Sequence, residues 1–122
     1  MYNKTKGQVE AEISSVITKF EKEHLGRGPK NVRTYIIEDM ILIRLIGIIT
    51  PAEEQLAKEK DGAQLVKQSR RWLIESSSSL INNIIEDVLG AEVQSTHTDI
   101  SAKTGERIFV FSMKENVEKK FK

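Results

Sequence analysis

The sequence predicts an α+β fold: a four-stranded antiparallel sheet with helices packed on one face. Three observations lead there. An amphipathic helical stretch precedes two β-rich segments that fold back at Glu38-Asp39. A second, longer helical stretch opens at Thr50-Pro51. Another pair of β-rich segments then flanks Ala102-Lys103-Thr104-Gly105. The order is helix, hairpin, helix or helix pair, hairpin. The 122 residues suit a single domain spanning 1–122, because smaller pieces could not bury a core. Its ordered core is expected over residues 8–113, between a polar N-terminal tail and a charged C-terminal tail.

The first helix is expected from Gln8 to Leu25. Val9, Ile13, Val16, Ile17 and Phe20 recur at steps of three and four and make one apolar stripe. Gly26 accepts the left-handed conformation that closes a helix, and Gly28-Pro29 forbids continuation. Asn31 to Ile49 reads as a hairpin turning at Glu38-Asp39, with a second flank apolar at almost every position, as in a strand covered on both faces. Thr50-Pro51-Ala52-Glu53 carries a capping residue, a proline suited to the first helical position and the glutamate of a capping box. Unbroken from Pro51 to Leu89, the following helix would be about 58 Å long at 1.5 Å per residue. A domain of this size has a radius of gyration of only roughly 14 Å. Asp61-Gly62 is the expected break, giving a short helix and then a long one; the alternative is one bent helix that projects and dimerises. Leu65, Val66, Trp72, Leu73, Leu80, Ile81, Ile84, Ile85 and Val88 form its apolar side. Ser76 to Ser79 is a poor helix-forming run. Its small side chains suit the close packing of a neighbour, hydroxyls facing a ligand, or a local distortion.

The second hairpin is expected over Glu92–Ile100 and Arg107–Met113. Ile108 to Phe111 is apolar on both sides and reads as an interior strand. Val93 to Asp99 is polar on both sides and reads as an edge or a strand lining a site. The last nine residues, Lys114 to Lys122, are charged and expected to fray. Each half is a helix ending in Leu-Gly followed by two strands, which allows a duplicated unit, although the residue-level match is thin.

Composition narrows the functional classes. Lys and Arg number 19 against 18 Asp and Glu, a net charge of +1, without the basic excess of a nucleic-acid binder. The absence of cysteine removes disulfides, thiolate metal sites and cysteine nucleophiles. Residues 1–7 lack the apolar stretch of a signal peptide. Met40 to Ile49 is far short of the ~20 apolar residues of a membrane helix and is interrupted by Arg44. A cytoplasmic protein with no direct membrane insertion is expected.

The candidate binding residues are arginines on the hairpins. Pairing across Glu38-Asp39 places Arg33 opposite Arg44, on one face with Tyr35 and Leu42. The other face carries Val32, Thr34, Ile36, Ile41, Ile43 and Leu45, a core surface. Like charges facing each other across strands are destabilising, so carboxylates or an anion should neutralise them. His97 and Asp99 point the same way, and Arg107 lies within one residue of Asp99's register, so an Asp99–Arg107 pair is the plain expectation. Arg27 and Lys30 sit in Gly26-Arg27-Gly28-Pro29-Lys30, which lacks phosphate-loop spacing and reads first as a helix-terminating turn. Two histidines, His24 and His97, far apart in sequence, do not make a metal site. No nucleophile–base constellation is evident and no cofactor is expected. An enzyme would need His97 as base with Asp99 orienting it.

Leu25-Gly26-Arg27-Gly28-Pro29, Val32-Arg33-Thr34-Tyr35, Asp39-Met40, Leu45, Gly47, Thr50-Pro51-Ala52-Glu53, His97-Thr98-Asp99-Ile100-Ser101, Lys103-Thr104-Gly105-Glu106-Arg107 and Phe109-Val110-Phe111 together resemble the MpsC-like (YbcI-like) family over residues 8–113. The resemblance implies association with a sodium-translocating, membrane-potential-generating system, and with inorganic-carbon uptake components. It implies no catalytic residues. Two readings follow. One is a non-enzymatic cytosolic accessory or regulatory subunit of a cation- or bicarbonate-handling membrane complex, homodimeric through its long apolar helix or an exposed strand edge. The other is a small-anion or nucleotide sensor in which Arg33 and Arg44 bind the ligand, assisted by Arg27, Arg107, His97 and Asp99.

Overall fold

Thr5 starts the chain's first helix two residues earlier than the periodicity predicts. In the computed structural model, which describes residues 2–121, the Thr5 hydroxyl accepts from the Gln8 N–H at 3.2 Å, and the Gln8 side chain accepts from the Thr5 N–H at 2.9 Å. This reciprocal box opens α1 (Lys6–Leu25), which ends on Gly26 at φ 86°. β1 (Asn31–Ile37) and β2 (Met40–Ile46) follow, then α2 (Pro51–Leu56), α3 (Lys60–Ser76), α4 (Ser78–Leu89), β3 (Val93–Ser101) and β4 (Glu106–Met113). The four strands form one antiparallel sheet in the order β1-β2-β4-β3. The α+β architecture is the expected one, with the apolar second strands of both hairpins in the interior and polar β3 at an edge.

The first hairpin has the expected register, with Arg33 opposite Arg44 and Ile37 opposite Met40. Glu38 takes a positive φ of 56°, a conformation usually left to Gly or Asn. Its support comes from the C-terminal segment. The Glu38 carbonyl accepts from the Glu118 N–H at 3.1 Å, the Glu38 N–H donates to the Glu118 carboxylate at 2.8 Å, and the Asp39 carbonyl accepts from Met113 at 2.7 Å. The expectation that Lys114 onward frays is therefore corrected as far as residue 121. Val117 is fully buried, a 3₁₀ turn spans Glu118–Lys120, and the Phe121 ring packs 4.6 Å from that of Tyr2. Tyr2 in turn donates to the Leu89 carbonyl at 2.6 Å. Lys122 lies outside the described residues.

The long helical stretch is broken twice, and not at Asp61-Gly62. Thr50 and Glu53 form the expected capping box of α2, which ends at Leu56. Gly62 lies inside the first turn of α3, where a Cβ would sit 1.9 Å from the Leu56 carbonyl oxygen. The glycine thus permits the close approach of α2 to α3 instead of breaking the helix. The second break falls at Ser77. There the Ser76 hydroxyl donates to the Leu73 carbonyl at 2.9 Å, competing with the helical ladder. Of the apolar side expected for this stretch, Val66, Ile81 and Ile85 are buried, together with Ile74 and Leu89, whereas Leu65, Trp72, Leu73 and Leu80 are exposed.

Helix α1 lies against β1, and α4 against α1. α3 and α4 flank β3. The core joins Ile13, Ile17 and Phe20 of α1 to Ile36, Ile41, Ile43, Leu45, Phe109 and Phe111 of the sheet and to the inner side of α3 and α4. The opposite face of the sheet stays open.

Candidate functional site: an open sheet face above a buried charge cluster

Strand registers line up three rows across the open face. Arg33, Arg44, Ile108 and Asp99 form one, Tyr35, Leu42, Val110 and His97 the next, and Ile37, Met40, Ser112 and Ser95 the third. Tyr35, Ile37 and Met40 are exposed. This face carries an apolar patch bounded on one side by two arginines and on the other by His97 and Asp99.

A carboxylate neutralises one of the facing arginines. Arg44 Nε lies 2.6 Å from Glu106 Oε2; among the described residues no carboxylate pairs with Arg33. Asp99 accepts from the Ile100 N–H at 2.8 Å and lies 3.6 Å from Lys67 Nζ of α3. Both hold its carboxyl below the usual range, the backbone hydrogen bond foremost. His97 Nε2 lies 3.3 Å from the Ser95 hydroxyl. The two side chains that an enzymatic reading would couple are thus each engaged elsewhere.

Arg107 does not join them. Its cross-strand partner is Ile100, and Asp99 faces Ile108. The one-residue offset therefore puts Arg107 on the covered face, and the expected Asp99–Arg107 pair is corrected. Only 1% exposed, Arg107 donates to the Thr98 hydroxyl at 3.0 Å and stands 5.5 Å from the centre of the Phe109 ring. Its Nε is 3.9 Å from Glu21 Oε1 of α1. Arg27 is separate again: it donates to the Ile49 carbonyl at 3.1 Å and ties the loop after α1 to the start of α2. In the same loop Gly28 makes room for the stem of Lys22. So four of the six candidates, Arg33, Arg44, His97 and Asp99, share the open face, while Arg27 and Arg107 act within the fold.

Beneath the sheet lies a cluster that the sequence reading missed. Arg70 of α3, 2% exposed, grips Glu53 of α2 through Nε at 2.8 Å and Nη2 at 2.6 Å, and Nη2 also donates to the Ile48 carbonyl at 3.0 Å. Glu21 is fully buried. Among the described residues neither of its oxygens has a hydrogen-bond partner, nor do Nε and Nη2 of Arg107 or Nη1 of Arg70. Burial pushes the Glu21 carboxyl up to about 7 against the pull of Arg107 and Arg70, and pushes Arg107 down to about 10. For Glu53 the hydrogen bonds from Arg70 and Thr50 outweigh desolvation, and its carboxyl is held below the usual range. A signal was available. Glu21 follows Ile13 and Ile17 at steps of four, and Arg70 falls midway between Val66 and Ile74, so each charge occupies a position on a buried stripe.

Among the described residues, no cluster of His, Asp and Glu could hold a metal ion, and no helix is long and apolar enough to cross a membrane. Comparison with known families matches residues 5–115 to the model described as Na+-translocating membrane potential-generating system (MpsC). The uncharacterized protein YbcI of Bacillus subtilis (strain 168) is 46% identical over 116 residues, covering 95% of this chain and 94% of its own. The uncharacterized protein YrhF of the same organism is 26% identical over 108 residues, with 88% of each chain covered. No solved structure matches.

Proposed function

The chain belongs to the MpsC family, and from that premise we propose that it is a non-enzymatic cytosolic accessory subunit that docks the open face of its sheet on a cation-translocating membrane assembly. One observation carries this reading: an uncovered sheet face on which exposed Tyr35, Ile37 and Met40 adjoin Arg33, a cation without a carboxylate partner among the described residues. Exposed apolar patches with a polar rim are the usual mark of a protein-binding surface, and aromatic and arginine side chains supply most of the energy at such surfaces. The fitting partner surface presents apolar side chains with a carboxylate placed for Arg33. In a pull-down from native membranes, the wild-type chain recovers the assembly. Arg33→Glu and Tyr35→Asp, both exposed and expected to fold, lose it. Equal recovery by the variants, or a wild-type chain recovered alone, refutes the proposal.

The facing of Arg33 and Arg44 also favours a second reading, a sensor of a small anion such as bicarbonate, phosphate, a carboxylate or a nucleotide phosphate. Glu106 already satisfies Arg44, which leaves Arg33 as the principal contact. Under this reading one of these ligands raises the melting temperature of the wild type and not of Arg33→Ala. Equal shifts in both exclude it.

A further inference from the structure

Two guanidinium groups and a carboxyl meet in the core without completing their hydrogen bonds. Glu21 of α1 is 0% exposed, Arg107 of β4 1% and Arg70 of α3 2%. Arg107 engages Thr98 through Nη1, and Arg70 engages Glu53 and the Ile48 carbonyl through Nε and Nη2. Arg107 Nε and Nη2, Arg70 Nη1 and both Glu21 oxygens are left without a partner among the described residues. These atoms belong to one cluster. Arg107 Nε is 3.9 Å from Glu21 Oε1, Arg70 attracts Glu21, and the two arginines repel each other. Like charges brought together inside a protein are costly unless an opposite charge offsets them. Glu53 offsets Arg70 through hydrogen bonds to Nε and Nη2, whereas no carboxylate among the described residues is hydrogen-bonded to Arg107.

We propose that Arg107, Arg70 and Glu21 enclose a binding site for one small monovalent anion, of about the size of chloride. The chemistry of the unpartnered nitrogens selects an acceptor, because a guanidinium can only donate, and its charge repels a cation. The spacing sets the size. A separation of 3.9 Å is too long for a direct hydrogen bond, yet one acceptor atom at about 3 Å stands within reach of both groups. Full enclosure favours a single-atom ion over a phosphate or a nucleotide. The charge balance then decides between an ion and water. Desolvation raises the Glu21 carboxyl to about 7, so below that range it carries a proton and becomes a further donor. Arg107 is then a buried cation without a counter-charge. Water at this place would leave that charge uncompensated, whereas an anion cancels it. Above that range ionised Glu21 supplies the negative charge itself and repels the anion, so anion and proton enter together. The other charged groups nearby leave this balance intact. Glu53 of α2 is held ionised by Arg70, and Asp99 of β3, which also acts on Arg107, lies on the open face beside Lys67. The site is on the covered side of the sheet, away from Arg33, and does not depend on what the open face binds.

The test replaces sodium gluconate, whose anion is too large for the site, by sodium chloride at constant ionic strength, so that screening is unchanged. At about pH 6 chloride raises the melting temperature of the wild type. Its affinity falls by up to about tenfold per pH unit above the Glu21 titration. Glu21→Gln, neutral at every pH, keeps the chloride response at about pH 8, where the wild type has lost most of it. Arg107→Met abolishes the response; should that variant fail to fold, the comparison of wild type with Glu21→Gln decides alone. Arg33→Ala responds as the wild type does. In crystals soaked with bromide at the lower pH, the anomalous signal lies between Arg107 and Glu21. A wild type indifferent to chloride at the lower pH overturns the proposal. So does a wild-type response that is equal at both pH values, a response that Glu21→Gln fails to carry to the higher pH, or a bromide signal confined to the surface.

Discussion

A carboxylate at the bottom of an apolar stripe can bind hydrogen-bond donors, pair with a cation or take up a proton. Glu21 has no donor within hydrogen-bonding distance among the described residues, and the Arg107 guanidinium 3.9 Å away offsets burial only in part. Burial therefore dominates and the carboxyl is raised from 4.5 to about 7. The groups facing it are Arg107 from β4 and Arg70 from α3, with Glu53 behind Arg70; Arg107 remains cationic and Glu53 ionised across this range. A raised carboxyl binds more protons folded than unfolded. Its contribution is thus fully present below pH 4.5 and is lost as pH rises through about 7. The shift corresponds to on the order of 3 kcal/mol. Urea midpoints should fall from about pH 5 to pH 8, and Glu21→Gln should flatten that slope; a wild type with no slope would count against the assignment. The same buried site explains why Arg107 belongs to the fold and not to the exposed surface. A guanidinium on the covered face must be held by partners there, and among the described residues it has the Thr98 hydroxyl of β3 and, at 3.9 Å, Glu21 of α1.

The helices between the hairpins are shaped by backbone contacts more than by propensity. Glycine inside a helix usually costs about 1 kcal/mol relative to alanine, so Gly62→Ala in the first turn of α3 would ordinarily stabilise. Here the added Cβ would meet the Leu56 carbonyl oxygen at 1.9 Å, and backbone cannot swing aside as a side chain can. Gly62→Ala is expected to destabilise by about 1–3 kcal/mol, the range for overpacking, seen as a lower urea midpoint with unchanged slope. At Ser77 the mechanism is different. A run of residues that compete with the ladder ends α3, and α4 starts afresh without a side-chain cap. The chain thereby turns one overlong helix into two that each lay a short apolar row on the core.

At the scale of the whole molecule, the two termini close the fold together. Tyr2 packs on Phe121, Val117 fills the core beneath, and Glu118 supports the strained Glu38 of the first hairpin's turn. Removing two methyl groups at this buried site with Val117→Ala is expected to cost about 2 kcal/mol, whereas a similar truncation at exposed Lys103 should change stability by less than ~0.5 kcal/mol. Equal effects on thermal unfolding would show that the C-terminal segment adds nothing to the core.

What the sequence by itself determined is what near neighbours decide. Thr50-Pro51-Ala52-Glu53 specifies a helix start through its own side chains. Alternation on either side of Glu38-Asp39 sets a register in which Arg33 faces Arg44, because a slip of one residue would turn Ile36, Ile41 and Ile43 out to water. The open-face members of the candidate site, Arg33, Arg44, His97 and Asp99, were legible for the same reason. Arg107 was assigned to the wrong side because a four-residue loop leaves the register one residue uncertain, and one residue changes the face. Only the tertiary structure decided that Glu21, Arg70 and Arg107 meet, that Trp72 points outward while Val66 points inward, and that residues 114–121 cover a turn far away in sequence. An apolar arc on a helix states that some side will be buried. Which half is buried, and which charges are carried in with it, depends on the elements that arrive from elsewhere in the chain to pack against it.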